Sequence, residues 1–269
     1  LNLLHRQIGA TTFTGIRSHA RVSFMGASGF LPMTPLATPN RSYVTRKGKT
    51  PAGKTLPAAS LKVSYLLDLL KASYRSFTGA QFAECRASFD KIIHAIPFVV
   101  ASSRTETNDL KELLDVSREY ITALRIKAAM VETSEPTRSL ELAAYFTHCN
   151  LQPAHLMLAL KTAMASAFKA KNFINAAGFA KRLLELPDVN SERHADTRTK
   201  AQKVLQKSEQ QGRNEFSIDY DEMNPFSLDC GNFKPIYKGS PLIKCAYCAS
   251  AYSPEAKGKA CATCCVSVA

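Results

Sequence analysis

The sequence predicts a mostly α-helical protein: an antiparallel helical array with an extended N-terminal arm and a small β-rich, cysteine-containing C-terminal module. Three observations support this fold class. Apolar residues recur at helical spacing through residues 58–211, where strand-like alternation is nearly absent. The first 57 residues show no sustained periodicity, and six of the eight cysteines lie between Cys230 and Cys265. We therefore expect three parts, at 1–57, 58–211 and 212–269.

The positive charge is concentrated in the first quarter of the chain. The 269 residues are 45% hydrophobic and 21% charged, as in an ordinary globular protein, but the net charge is +13. Residues 1–67 contain nine Lys or Arg and no Asp or Glu, whereas the rest carries 26 basic and 22 acidic side chains. This distribution argues against a nucleic-acid groove along the whole chain. No apolar stretch reaches the roughly 18 residues of a transmembrane helix.

Residues 1–57 are predicted to form an extended or disordered basic arm. Gly, Ser, Thr and Pro recur through it, so it buries too little apolar surface to offset the entropy cost of ordering. A mitochondrial transit peptide is the alternative interpretation of this acid-free segment, which its prolines and the lack of an initial Met disfavour. Because the chain starts at Leu1, we expect a fragment or a processed product.

Six or seven helices joined by short loops are expected in the central part. Prolines and small polar residues mark their ends, as is typical of helix caps and first turns. The first helix is predicted to follow a cap at Ser60, the second to run from Gly79 to Pro97, and the long third helix to begin at Thr107 or Asn108. The fourth and fifth helices are predicted to have Pro136 and Pro153 in their first turns. A helix over 173–186 and a charged helix over 192–211 complete the array. The helix that follows Pro153 is apolar nearly all round and should be central.

Two of these helices show a weak internal similarity. Phe82 is followed by Cys85, Phe89 and a closing Pro97, and Phe173 by Ala176, Ala180 and a closing Pro187. The pattern resembles the second helix of a tetratricopeptide-like hairpin. The alternative is simply two amphipathic helices that end at prolines.

The last 58 residues are predicted to form a small loop-rich module that needs a staple or a host surface. Phe216, Ile218 and Tyr220 alternate with polar residues, which predicts a strand. Further on, two cysteine pairs of the form Cys-x2-Cys suggest a tetrahedral structural zinc site. These pairs are Cys245 with Cys248 and Cys261 with Cys264, and Cys230 competes as a ligand. The alternative is a set of reduced, partly buried thiols.

No residue pattern predicts an enzyme. The sequence has neither a Gly-rich phosphate loop nor a nucleophile elbow, and a zinc ion held by four protein ligands has no open position for a substrate. His148 and Cys149 are adjacent, but a nucleophilic Cys needs a base placed beside it in space. We expect His148 and His155 to be ordinary half-buried residues that flank a turn.

Several strings in the chain, in a fixed order, carry a resemblance to a known family. They are Leu-Asn-Leu-Leu-His-Arg-Gln-Ile-Gly-Ala at the start, Ala-Ala-Tyr-Phe-Thr-His-Cys-Asn-Leu-Gln-Pro-Ala-His at 143–155, Phe-Ala-Lys-Arg-Leu-Leu-Glu-Leu at 179–186, Asn-Pro-Phe at 224–226, Pro-Ile-Tyr-Lys-Gly at 235–239 and Tyr-Ser-Pro-Glu-x-Lys-Gly at 252–258. Together they resemble the C-terminal domain of coatomer alpha subunits, from the vesicle coat of Golgi-to-endoplasmic-reticulum traffic. The match is weakest over residues 11–57.

The resemblance implies a structural, non-enzymatic role that requires no cofactor. In that family this domain binds the coatomer epsilon subunit, a tetratricopeptide-repeat protein, and works with other coatomer subunits in retrograde Golgi-to-ER and intra-Golgi transport. It implies a cytoplasmic protein on Golgi membranes and coated vesicles, which contacts the membrane only through the assembled coat and binds no nucleic acid. The alternative function is a zinc-stapled module whose basic arm binds nucleic acid or an anionic membrane.

The resemblance also bears on the zinc ligands. Family members have cysteines at the positions of Cys230, Cys245, Cys248 and Cys261, whereas Cys264 and Cys265 stand where the family has other residue types. It therefore favours Cys230 as the fourth ligand, with Cys264 as the alternative. An apolar strand that the family has beyond this point is missing, so the resemblance implies a truncated or divergent last module.

Overall fold

A computed structural model describes residues 44–49, 55–58, 62–99, 101 and 103–269. Within the predicted arm, strands β1 (Val44–Lys49) and β2 (Thr55–Ala58) pair antiparallel as a two-stranded sheet. Val44 lies opposite Ala58 and Thr45 opposite Pro57, and the register shifts before Lys49. Sequence periodicity gave no sign of this pairing. The predicted cap Ser60 lies outside the described residues.

The predicted helical array is confirmed. Successive helices pack against one another in chain order, as expected for hairpins joined by short loops. The described residues form seven α-helices: α1 (Val63–Thr78), α2 (Phe82–Ala95), α3 (Arg104–Glu132), α4 (Pro136–Phe146), α5 (Pro153–Lys169), α6 (Phe173–Glu185) and α7 (Ala195–Gln211). None of these helices combines the length and apolar character that a membrane crossing requires.

Several predicted helix boundaries are wrong, for reasons visible in the capping bonds. Helix α3 begins at Arg104 rather than at Thr107 or Asn108, because the Glu106 backbone N–H donates to the Ser103 hydroxyl at 3.2 Å. Gly79 closes α1 instead of opening α2, since its N–H donates to the carbonyl of Arg75. The charged helix starts at Ala195, after a 3-10 turn over Glu192–His194. The prolines at the starts of α4 and α5 are in the first turn as predicted.

The buried apolar residues in the described part of the chain form two clusters. One joins α1, α2 and α3 to the C-terminal module and contains five of its cysteines together with Tyr252. The other lies among α4, α5, α6 and α7. Helix α5 buries seven of its 17 residues, and Leu158 keeps 40% of its surface exposed, so this helix is less enclosed than its apolar composition predicted. The C-terminal module therefore shares a core with the first three helices.

The strand predicted over Phe216, Ile218 and Tyr220 is absent from the structure. This segment is irregular, and its backbone groups bond to side chains of the helices rather than to a neighbouring strand. The Asn172 amide donates to the Phe216 carbonyl at 3.0 Å and accepts from the Phe216 N–H at 2.8 Å. The three apolar residues still pack onto the second core cluster. The alternation of apolar and polar residues in this segment therefore reflects one buried face, although the backbone pairs with no other strand.

The C-terminal module contains two small antiparallel sheets, as its β-rich prediction anticipated. Strand β3 (Phe226–Leu228) pairs with β4 (Pro235–Tyr237), and β5 (Ile243–Lys244) pairs with β6 (Ala251–Tyr252). Strands of two or three residues provide few ladder bonds and little buried area. The module must therefore derive its order from the helices and from its cysteine cluster.

Candidate metal centre

Four cysteines of the C-terminal module converge at one buried point. The sulfur atoms of Cys245, Cys248, Cys261 and Cys264 all lie within 4.8 Å of one another, and all four residues are buried. Cys245 Sγ is 3.7 Å from Cys264 Sγ, and Cys248 Sγ is 3.5 Å from Cys261 Sγ. The two Cys-x2-Cys pairs recognised in the sequence therefore face each other.

Each cysteine pair occupies the same kind of tight turn. The N–H of Ala249 donates to the carbonyl of Cys245 at 3.0 Å, and the N–H of Cys265 donates to the carbonyl of Cys261 at 2.9 Å. Both closing residues have left-handed backbones, with φ of 56° at Ala249 and 55° at Cys265. A turn of this shape points both thiols of its pair to one side, so two such turns enclose a four-sulfur site.

Hydrogen-bond donors surround these sulfur atoms. The Ser250 hydroxyl lies 3.1 Å from Cys248 Sγ, and the Val266 N–H donates to Cys264 Sγ at 3.5 Å. The Tyr252 hydroxyl accepts the Ala262 N–H at 2.9 Å, which leaves its own proton for Cys261 Sγ at 3.1 Å. Donors in these positions stabilise thiolate charge, which is the form of cysteine that binds metal.

The two facing thiols Cys248 and Cys261 share their protons unequally. The hydrogen bond from Cys248 lowers the pKa of Cys261, and the Cys264 N–H and Tyr252 hydroxyl act in the same direction. The same bond raises the pKa of Cys248. Because cysteine binds a metal as the thiolate, a bound cation would take the place of the proton shared by these two sulfurs.

The arrangement fits a tetrahedral metal ion. With zinc–sulfur bonds of about 2.3 Å, the sulfurs of a tetrahedral site lie about 3.8 Å apart, close to the 3.5 Å and 3.7 Å observed. Four thiolates favour soft or borderline cations such as Zn²⁺ over Mg²⁺ or Ca²⁺, which prefer oxygen ligands. A site with four protein ligands has no position for a substrate, so its chemistry is structural.

Cys230 lies beside this group but not within it. Its sulfur is 3.7 Å from the Thr122 hydroxyl on α3, and its backbone carbonyl accepts from Arg125 at 2.7 Å. Burial raises the pKa of this thiol. The structure thus brings together three of the favoured ligands, Cys245, Cys248 and Cys261, with Cys264 rather than with Cys230.

Side chains of α2 and α3 bind the loops that carry the cysteines. Arg118 donates to the Cys248 carbonyl at 3.1 Å, His94 Nε2 lies 2.7 Å from the Cys264 carbonyl, and the Tyr247 hydroxyl donates to the Ile93 carbonyl at 2.6 Å. Sequence reasoning missed these contacts. The only available signal was the seven-residue spacing of Arg118 and Arg125, which places both on one face of α3.

The adjacent pair His148 and Cys149 forms no catalytic site. The His148 ring lies beside the Tyr220 hydroxyl and Arg182, whereas Cys149 turns away into the core, with its sulfur 3.9 Å from the Tyr145 carbonyl. Burial raises the pKa of the Cys149 thiol, which opposes nucleophile formation. The prediction that both histidines are half-buried is wrong. His148 is exposed, whereas His155 is buried, with only 2% of its surface exposed.

Comparison with known proteins shows a family relationship along the entire chain. A family described as the C-terminus of the coatomer (COPI) alpha subunit matches residues 1–269. The chain is 38% identical to coatomer subunit alpha of Dictyostelium discoideum over 277 residues, covering 99% of the chain and 22% of that relative. It is 36% identical to coatomer subunit alpha-1 of Arabidopsis thaliana over 271 residues, covering 98% of the chain and 22% of that relative. The chain belongs to the coatomer alpha C-terminal family.

This family match includes both the helical array and the cysteine module. Coatomer subunit alpha of Saccharomyces cerevisiae is more distant, with 26% identity over 95% of the chain. The chain spans about a fifth of the length of these coatomer relatives.

Proposed function

We propose that this domain is a non-enzymatic scaffold of the vesicle coat that binds the coatomer epsilon subunit. The family match over residues 1–269 is the observation that supports this proposal most directly. The architecture agrees with it, because an array of helices and a two-stranded sheet provide extended surface for a protein partner. Among the described residues, the cysteine cluster is a closed site and the adjacent His148 and Cys149 form no nucleophile–base pair.

The β1–β2 sheet is a candidate contact for the epsilon subunit. It contains two strands only, and a two-stranded hairpin is marginally stable by itself in water. A tetratricopeptide-repeat partner that covered it would supply the missing buried surface. On this proposal the hairpin gains its stability from the complex.

The proposal is tested by co-expressing the chain with an epsilon subunit and measuring the mass of the complex at about 0.15 M and 0.5 M salt. We expect a stoichiometric complex at both salt concentrations, because charge pairing is not its main source of affinity. The substitution Thr45→Pro removes a backbone N–H opposite Pro57 and should weaken the complex, whereas Thr45→Val retains it. Co-purification of nucleic acid without epsilon, with binding lost at the higher salt, would instead support the alternative function of the basic arm.

The cellular role that follows is retrograde Golgi-to-ER and intra-Golgi transport together with the other coatomer subunits. The domain would lie in the cytoplasm, on Golgi membranes and coated vesicles, and would contact membrane only through the assembled coat. Replacing the native alpha subunit by one lacking residues 44–269 should lower epsilon recovery with the coat and slow return of an ER-resident reporter. Normal epsilon recovery and reporter return would contradict this role.

We also propose that the four-cysteine cluster holds a structural zinc ion, with Cys245, Cys248 and Cys261 as three ligands. Sulfur distances support Cys264 as the fourth ligand, and Cys230 remains the alternative. Metal analysis of the purified full chain should find about one zinc per molecule. A folded sample with clearly less than one equivalent, prepared without chelators and with zinc supplied, would refute this assignment.

A further inference from the structure

We propose that metal binding at the four-cysteine cluster and docking of the C-terminal module onto α2 and α3 are a single coupled event. On this view Arg118 and Tyr247, which are not ligands, are positioning residues that set the metal affinity. The inference rests on the structural zinc proposed above. The bound metal would then stabilise the contact between the module and the helices, in addition to stabilising the module itself.

The first support is that each cysteine pair is anchored to the helices by its second cysteine. Arg118 of α3 holds the carbonyl of Cys248, and His94 of α2 holds the carbonyl of Cys264. The two pairs approach each other from different loops, 12 residues apart in sequence. A metal ion bonded to both pairs fixes the separation of these carbonyls, and the two helices fix the same separation from outside.

The second support comes from Tyr247, which lies between the ligands Cys245 and Cys248. Its hydroxyl donates to the carbonyl of Ile93, in the last turn of α2, at 2.6 Å. Carbonyls in the last turn of a helix have no partner within that helix. The ligand loop therefore caps α2, so an ordered loop stabilises the helix and a disordered one exposes its end.

The third support is the preorganisation of Arg118. Its guanidinium also binds Asp115 at 2.7 Å and Glu119 at 3.1 Å, and its side chain is 21% exposed. It therefore keeps one orientation, in which an N–H group points to the Cys248 carbonyl. Because the two carboxylates offset its charge, Arg118 acts on the metal site by fixing the position of this ligand loop.

Thermodynamic reciprocity turns these contacts into a measurable effect. If metal binding favours the docked module, then docking must favour metal binding by the same factor. Changes to the docking residues should therefore lower zinc affinity although they leave every sulfur in place. Loss of a hydrogen-bond partner around a metal site typically costs about 10- to 100-fold in affinity.

The experiment measures zinc affinity of the full chain by competition with a chromophoric chelator. Arg118→Gln should bind zinc about tenfold more weakly than the native chain. Lys181→Gln is the control, because Lys181 lies on α6, pairs with Glu209 of α7 at 3.1 Å and should leave the affinity unchanged. If Arg118→Gln fails to fold, Tyr247→Phe removes only the hydroxyl that binds Ile93 and should lower the affinity several-fold.

Hydrogen exchange of the native chain, before and after zinc removal, supplies the second measurement. We expect chelation to lower amide protection in the last turn of α2 and near Arg118, as well as in the module. A native chain that binds no zinc would overturn the structural zinc itself. Stoichiometric zinc, with unchanged affinity in Arg118→Gln and Tyr247→Phe and unchanged helix protection after chelation, would overturn the coupling and leave the zinc site standing.

Discussion

The hydroxyl oxygen of Tyr120 lies 2.6 Å from Nδ1 of His155, in the centre of the first core cluster. The same hydroxyl accepts the N–H of Gln152 at 3.1 Å, so its own proton points to Nδ1. Nε2 of His155 then carries the ring proton and donates to the Thr78 hydroxyl at 3.0 Å, which in turn donates to the Tyr74 carbonyl at 3.0 Å. This network assigns a neutral imidazole with one tautomer.

The first prediction is that acid destabilises the fold through His155. Burial lowers the pKa of His155 in the folded chain below the ordinary value of 6.5. Between these two pKa values the unfolded chain binds one more proton, so the free energy of unfolding must fall as pH decreases below about 6.5. Above that pH both states are neutral and the residue contributes no pH dependence. Urea unfolding at pH 7.5 and pH 5.5 measures the difference.

The variant His155→Gln separates this effect from that of other histidines. It should be less stable than the native chain at pH 7.5, because the network is broken, but should lose less stability on acidification. His148 adds a second acid-sensitive contribution: although the residue is exposed, its ring is partly desolvated against Tyr220 and Phe226, and this contact and then the charge of Arg182 lower its pKa. Equal acid responses of His155→Gln and the native chain would contradict the assignment.

Arg182 joins three parts of the chain, which leads to the second prediction. It donates to both the hydroxyl and the carbonyl of Thr147 at 2.9 Å, and it reaches the Tyr220 hydroxyl at 3.3 Å. Arg182→Gln should therefore cost about 1.5–3 kcal/mol, the typical range for hydrogen bonds to a charged group. Lys181→Gln is the control: its ion pair with Glu209 is more than half exposed and should contribute less than about 1 kcal/mol. Chemical denaturation of both variants provides the comparison.

Some features of this fold could be predicted from the sequence, and others could not. Helical periodicity and first-turn prolines identified α4 and α5, since both depend on local backbone preferences. The spacing of Cys245 with Cys248 and Cys261 with Cys264 likewise identified the cluster. The alternation of Phe216, Ile218 and Tyr220 misled, because it reports a buried face and not the partner of the backbone. The role of Arg118 was invisible because a backbone carbonyl acceptor has no sequence signature.

The start of α3 gives the third prediction. Its N-cap is Ser103, whose hydroxyl accepts the Glu106 N–H, whereas Asn108 lies inside the helix. Ser103→Ala should therefore destabilise the protein by about 1 kcal/mol. Asn108→Ala should be neutral or slightly stabilising, because alanine is the better residue in a helix interior. If Asn108→Ala unfolds at a lower urea concentration than Ser103→Ala, the helix begins near Thr107 or Asn108, as the sequence suggested.

Two glycines in opposite settings give the fourth prediction. Gly178 lies within α6, and a Cβ there would approach only the carboxylate of Glu222, at 2.6 Å, which is the movable end of a partly exposed side chain. Gly178→Ala should stabilise the protein by about 0.5 kcal/mol, because the gain in helix propensity exceeds the cost of moving that carboxylate. Gly212 ends α7 with φ of 56°, in the left-handed region. Gly212→Ala should destabilise by about 1 kcal/mol, and thermal unfolding of both variants tests the opposite signs.

The fifth prediction decides between the two candidate fourth ligands of the metal. Cys264 Sγ lies 3.7 Å from Cys245 Sγ inside the group of four, whereas Cys230 Sγ faces the Thr122 hydroxyl. Cys264→Ser removes a ligand and should weaken zinc binding by more than the roughly 10- to 100-fold that loss of a neighbouring hydrogen-bond partner costs. Cys230→Ser keeps a polar group of similar size beside Thr122 and should leave zinc affinity within a few-fold of native. Competition with a chelator measures both variants, and cobalt substitution checks the number of sulfur ligands from its charge-transfer absorption. If Cys230→Ser loses zinc while Cys264→Ser retains it, the loop carrying Cys230 must rearrange on metal binding, and the ligand set becomes the one that the family resemblance favoured.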